Sequence, residues 1–132
     1  YSVPSTLEYA VKGGRLAKQL KMLFDFFNFK PILTFNTNGK IKPAGIVRAK
    51  NNLPDKLLKF LNKKISKNKT YHVCIAHTNV PSMAKKLKLL MSRLENIASI
   101  DITTCSPVLG CHVGPGALGV AIQEHINIED FR

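Results

Sequence analysis

The sequence predicts an α+β fold: a mixed, largely antiparallel sheet with helices packed on it. Hairpin-like strand pairs occur along the same chain as strand–helix–strand stretches, an order that excludes all-helical and all-strand layering. Apolar spacing changes from helical to alternating and back, as it must when helices and strands share one core. The 132 residues, 45% hydrophobic and 21% charged, suffice for one core of ordinary composition, with no metal or disulfide staple required.

Each element follows in order. Ser5-Thr-Leu-Glu8 has the form of a capping box and predicts a short helix to about Lys12, ended by Gly13-Gly14. Arg15 opens a second helical segment. There Leu16, Leu20, Leu23, Phe24 and Phe27 recur at helical spacing, Lys18, Lys21 and Asp25 decorate the polar side, and Pro31 is expected to stop the helix. Ile32 to Phe35, Asn36-Thr-Asn-Gly39 and Lys40-Ile-Lys42 read as a hairpin closed at an Asn-Gly turn, with Pro43 to Arg48 as a third short strand. Leu53 to Ile65 puts Leu57, Leu58, Leu61 and Ile65 on one helical face, starting near Pro54, which suits a first turn. Tyr71 to His77 reads as a buried strand. Pro81 to Leu94 is a helix with Met83, Leu87, Leu90, Met91 and Leu94 on one side and Asn79 as the expected cap. Ile97 to Thr103 alternates as a half-buried strand, Pro107 to Gly116 is expected to be a stiff loop, and Ala117 to Ile122 resumes as an apolar strand.

Twenty Lys and Arg against eight Asp and Glu give a net charge of +12. The excess is local: Lys12 to Arg93 holds 19 of the cations and, as acids, only Asp25 and Asp55. Such a surface steers the domain towards phosphates, anionic headgroups or an acidic partner. Sixteen of the cations are Lys, and no aromatic interrupts Lys63 to Lys69, whereas base reading favours Arg forks and stacking rings. A basic nucleic-acid or anionic-surface binding domain is therefore the alternative reading, not the leading one. The longest apolar runs fall far short of the roughly 20 residues a membrane-spanning helix needs. The chain opens at Tyr1 with no leader, which reads as a piece of something longer. Three cysteines at unrelated spacings, Cys74, Cys105 and Cys111, argue against a secreted disulfide framework and for the cytoplasm. His72 and Cys74 share one face of their strand and His77 takes the other, so no metal site is expected.

Two segments carry candidate chemistry. Three Gly and two Pro in the ten residues Pro107 to Gly116 fix a backbone that holds His112 in place. The N–H groups of Gly114 and Gly116 are candidates for an anion-binding nest, with a structural turn as the alternative. Gly13-Gly14-Arg15 reads either as an anion site at a helix start or as a helix cap beside a surface Arg. Cys111 and His112 are adjacent, and neighbours in an extended loop point apart, which disfavours a thiol hydrolase or transferase because nucleophile and base must meet.

Taken in series, Leu7-Glu-Tyr-Ala-Val-Lys-Gly-Gly-Arg15, Lys30-Pro-Ile-Leu33, Asn38-Gly-Lys-Ile41 with Val47-Arg48-Ala-Lys50, and Cys111-His-Val-Gly-Pro-Gly-Ala-Leu-Gly119 resemble the C-terminal half of the DegV family. The resemblance implies a bacterial lipid-binding protein of two domains, with a fatty acid in a tunnel between them and its carboxylate at the junction. It implies no cofactor and no catalysis by the chain itself, but a carrier that presents the bound acid to a fatty acid kinase for acyl phosphate formation. Carried over by position, it assigns His112 and Arg15 to the carboxylate, beside the nest read above at Gly114 and Gly116, and Arg48 and Lys18 to kinase docking. Phe24, Phe27 and Ile32 are candidates for tunnel wall, each with ordinary core as the alternative. The N-terminal DegV domain, with its Ser/Thr hydroxyls and half of the tunnel wall, has no counterpart in these residues, so the site expected here is a half-site.

Overall fold

A computed structural model describes residues 1–12, 14, 18–49 and 51–126. Its elements are β1 (Ser2–Val3), α1 (Glu8–Lys12), α2 (Lys18–Phe26), β2 (Phe29–Phe35), β3 (Ile41–Arg48), α3 (Leu53–Leu61), β4 (Tyr71–His77), α4 (Pro81–Met91), β5 (Ile97–Thr104), α5 (Pro107–Val113) and β6 (Leu118–Glu124). The strands form one sheet in the order β3-β2-β1-β6-β4-β5. Among the described residues only β4 and β5 pair in parallel and the other pairings are antiparallel, so the α+β expectation holds.

Alternation decides which side of the sheet is covered. Val73 and Ile75 of β4 and Leu118 and Val120 of β6 are buried, and they join Leu57 and Leu61 of α3 and Ala84, Leu87 and Met91 of α4 in one core. Ala98 is the extra residue of a bulge, because Tyr71 pairs with Ile97 but His72 already with Ser99. The bulge turns Ile97 to the same side as Ile100 and Ile102, and all three pack on the core. His72 lies on the opposite, exposed face. Its ring nitrogens meet Ser99 Oγ at 2.7 Å and His125 Nδ1 at 2.8 Å, while His77 is buried on the core side.

Several expectations change at element boundaries. The first helix is capped by Thr6, whose Oγ1 accepts from Glu8 N at 3.2 Å, rather than by Ser5. Its end at the glycines is as expected, Gly14 N donating to Val11 O at 3.0 Å with φ 69. Pro31 does not stop α2: the helix ends at Phe26, Asn28 turns the chain at φ 54, and Pro31 lies inside β2. The strands expected separately as Lys40 to Lys42 and Pro43 to Arg48 are one edge strand, β3, where a proline is tolerated because no further strand needs its missing N–H. The turn between β2 and β3 is held by Asn36, whose side-chain oxygen accepts from Asn38 N at 3.0 Å and Lys40 N at 2.8 Å. Asn79 does not cap α4; Val80 occupies the cap and Asn79 turns the chain at φ 57. The largest difference is at Pro107–Val113, which is a helix started by Ser106, whose Oγ accepts from Leu109 N at 3.3 Å, and not a loop.

Candidate functional site

Sheet direction gathers the candidates at one edge. β1, β3, β4 and β5 run the same way, as two antiparallel steps through β6 or β2 restore direction. They all end at this edge, and β2 and β6 begin there. So the edge collects Pro4–Leu7 after β1, Arg48 at the end of β3, Thr78 after β4, and α5 with Gly114–Ala117 between β5 and β6. The helices α3 and α4 also start at this edge, where open sheets with parallel strands commonly bind ligands.

His112 lies in the last turn of α5 and is exposed. The segment that follows it is pinned by one residue that the sequence reading passed over. Thr78 is buried, and four hydrogen bonds tie it to Gly114–Ala117. Its Oγ1 donates to Gly114 O at 2.6 Å and accepts from Ala117 N at 2.8 Å. Its backbone N donates to Ala117 O at 3.0 Å, and its carbonyl accepts from Gly116 N at 2.7 Å. Gly114 N donates to Gly110 O at 2.8 Å. The N–H groups of Gly114 and Gly116 are therefore committed within the fold, and the expected anion nest is not formed by them.

What these glycines provide is close approach. Gly114 has φ 73, and a Cβ there would lie 2.4 Å from the Tyr9 ring; Gly116 has φ 83, and a Cβ would lie 2.8 Å from Ser5 Oγ. Tyr9 belongs to α1, whose C-terminal end leads into Gly13-Gly14-Arg15. A contact between α1 and α5 thus brings the helix that precedes the first glycine motif against the helix that carries His112, although about a hundred positions of sequence separate them. Gly13, Arg15, Leu16 and Lys50 lie outside the described residues.

Beside this junction, Leu7, Phe24, Phe29, Lys30, Pro31 and Ala49 help line a cleft of about 140 Å³, which is about half the lower end of the roughly 300–1,000 Å³ range for small-molecule sites. Lys30 Nζ donates to Ser5 O at 2.6 Å. Burial pushes its pKa below the usual lysine value, against the opposing charge of Asp25. Phe24 lines this cleft. Phe27 is 41% exposed and stacks on Phe29 with centroids 5.6 Å apart, and Phe26, 79% exposed, meets Phe27 edge-on at 5.0 Å. Ile32 is wholly buried in the core under the helix layer, the ordinary-core alternative to a tunnel wall. Arg48 and Lys18 are both exposed, at the end of β3 and the start of α2. His77, next to Thr78, is buried, and its Nδ1 has no hydrogen-bond partner among the described residues.

Cys111 is exposed and precedes His112 within the helix, not in an extended loop, and all three cysteines are unpaired thiols. Among the described residues no three His, Cys, Asp or Glu side chains are grouped to hold a metal, and no helix is long and apolar enough to cross a membrane.

Comparison with known proteins places this edge in a family context. The family model described as "Uncharacterised protein, DegV family" matches residues 1–125. A DegV domain-containing protein of Clostridium acetobutylicum is 34% identical over 122 residues, covering 92% of this chain and 43% of the relative. One of Streptococcus pneumoniae is 29% identical over 114 residues, covering 86% and 40%. A fatty acid binding DegV family protein of Streptococcus agalactiae superposes with a TM-score of 0.74 at 26% identity, over 96% of this chain and 44% of that one. A DegV family protein of Eubacterium eligens, solved loaded with heptadecanoic acid, gives 0.69 at 15% identity, over 93% and 44%. The chain thus spans less than half the length of the relatives it matches.

Proposed function

We propose that this chain, which belongs to the DegV family, is one half of a cytoplasmic fatty-acid-binding module, the half that holds the carboxylate end of the ligand. The observation that carries this reading is the Tyr9–Gly114 contact, through which α1, the helix that precedes the Gly-Gly-Arg segment in sequence, packs beside the His112 segment at one sheet edge. The S. agalactiae protein of the same fold is a fatty acid binder, which supports the ligand class. His112 and Arg15 are the groups that answer the carboxylate. A carboxylate entering an apolar site needs donors or positive charge, or it will not stay ionised. The acyl tail contributes the larger part of the affinity, about 0.8 kcal/mol per buried methylene.

The tail has too little room here. The cleft beside Phe24 is small, and the Phe26, Phe27 and Phe29 cluster stands open to solvent, as apolar surface does where a further wall is to cover it. The remaining length of the relatives corresponds to an N-terminal DegV domain that completes the tunnel. The bound acid is then offered to a separate fatty acid kinase, which transfers a phosphoryl group to the carboxylate oxygen; Arg48 and Lys18 dock that kinase. The chain itself is a carrier and not an enzyme.

One experiment tests both roles. In the protein with both domains, His112→Ala should weaken the hold on the head group and reduce acyl phosphate formation, while Arg48→Ala should spare binding and reduce phosphorylation alone. Calorimetry with oleate and a phosphorylation assay at limiting carrier separate the two. A His112→Ala protein that binds and is phosphorylated like the unaltered one overturns the role given to His112, and unchanged phosphorylation of Arg48→Ala overturns the docking role.

A further inference from the structure

The basic surplus is concentrated on the helix layer, away from the sheet edge. Residues 53–96 hold ten Lys and Arg against Asp55 and Glu95, a difference of +8 within the chain's +12. At 100° per residue the buried positions of α3 and α4 fix the opposite, outward stripes. Lys56 and Lys59 are exposed on α3 and Lys63 in the turn just after it, and Lys85, Lys88 and Arg93 are exposed on α4 and after its end. Asp55 is already paired with Lys86, Oδ2 to Nζ at 2.6 Å, so it neutralises little of the rest. Leu89 stands at the centre of the outward stripe of α4, 59% exposed and flanked by Lys85, Lys86 and Lys88. The core gains nothing from it there.

We infer that the outer face of α3 and α4 docks on an anionic lipid bilayer. Clusters of four to eight Lys or Arg on a helical surface are drawn to acidic headgroups, while a second copy of the chain would be repelled. The cations are almost all Lys, compact point charges without the fork that matches fixed carboxylates or phosphates, which suits a laterally mobile headgroup layer. Phe60 of α3 is not free for base stacking: it is turned to the sheet side, half-buried and edge-on to Tyr1 with centroids 5.4 Å apart, and Lys64 Nζ lies 5.7 Å from its ring centroid. A single exposed leucine amid lysines allows shallow apolar contact in addition to charge. Where the two helices end, a cleft of about 370 Å³ with Ile65, Lys67, Arg93 and Leu94 in its lining is open to a headgroup. Because α3 and α4 begin at the sheet edge, docking along their length leaves that edge uncovered beside the membrane. The inference rests on charge and exposure, and stands whether or not the ligand is a fatty acid.

The test is co-sedimentation of the full protein with vesicles free of fatty acid, either phosphatidylglycerol mixed equally with phosphatidylcholine or phosphatidylcholine alone. Binding is expected to the first only, falling steeply as salt is raised. Changing Lys59, Lys63, Lys85 and Lys88 together to Gln should lower partitioning by about fivefold per lysine, Leu89→Ser should lower it a few-fold, and Lys42→Gln on the far edge strand should leave it unchanged. Equal binding to both vesicle types, or a fourfold Gln variant that binds like the unaltered protein, overturns the inference. So does a protein that shifts RNA or an acidic protein in the same buffer but ignores the acidic vesicles.

Discussion

Thr78 shows how a single side chain can hold a site it does not itself present. Its hydroxyl serves Gly114 O and Ala117 N at once, so removing it strands two buried backbone groups. Each stranded group costs about 1–3 kcal/mol, and Thr78→Val should destabilise the protein by about 2–4 kcal/mol while Thr78→Ser, which keeps the oxygen, loses far less. Urea unfolding of the three proteins checks this, and a Val variant as stable as the Ser variant would show the hydroxyl to be dispensable. The sequence offers only a weak signal for Thr78: it follows a buried strand, one residue past His77, and nothing local reveals a partner 36 positions away. His112 is the reverse case. Its glycine-rich surroundings marked it at once, but they did not reveal that the neighbouring N–H groups were already spent inside the fold.

Among elements, legibility followed the locality of the forces. The turn at Asn36–Gly39 and the strand at Tyr71–His77 were readable because turn chemistry and alternation are written in consecutive residues. The sequence of α5 reads as a loop because Gly110, Pro107 and Pro115 all weigh against helix by propensity. Yet Pro107 falls in the first turn, where its missing N–H costs nothing, and Ser106 supplies the cap. β1, with two residues, has no periodicity at all; it exists only because β2 and β6 pair with it on either side. The packing of α1 on α5 was equally invisible, being set by the absence of a side chain at Gly114. Gly114→Ala should therefore push α1 away from α5, because a methyl 2.4 Å from the Tyr9 ring cannot be accommodated and the positive φ adds strain. A cost of about 2–4 kcal/mol is expected, readable as a lowered Tm together with a changed Tyr9 environment by NMR. A variant with neither change would remove the contact on which the packing of α1 beside the His112 segment depends.

For the whole molecule, the parts fit one division of labour: core and helix layer on one side of the sheet, candidate head-group residues at one edge, and a phenylalanine cluster left open nearby. The +12 charge and the α+β order were readable from composition and pattern alone, and the site family from two motifs in series. The walls of the proposed acyl site were not, since the chain spans less than half the length of its relatives. The proposal that this chain is a half-site is tested most directly by calorimetric titration of oleate into the isolated 132-residue chain and into the two-domain protein. One-to-one binding by the two-domain protein and only weak binding by a folded isolated chain are expected. Submicromolar one-to-one binding by the isolated chain, or none by the two-domain protein, would contradict it.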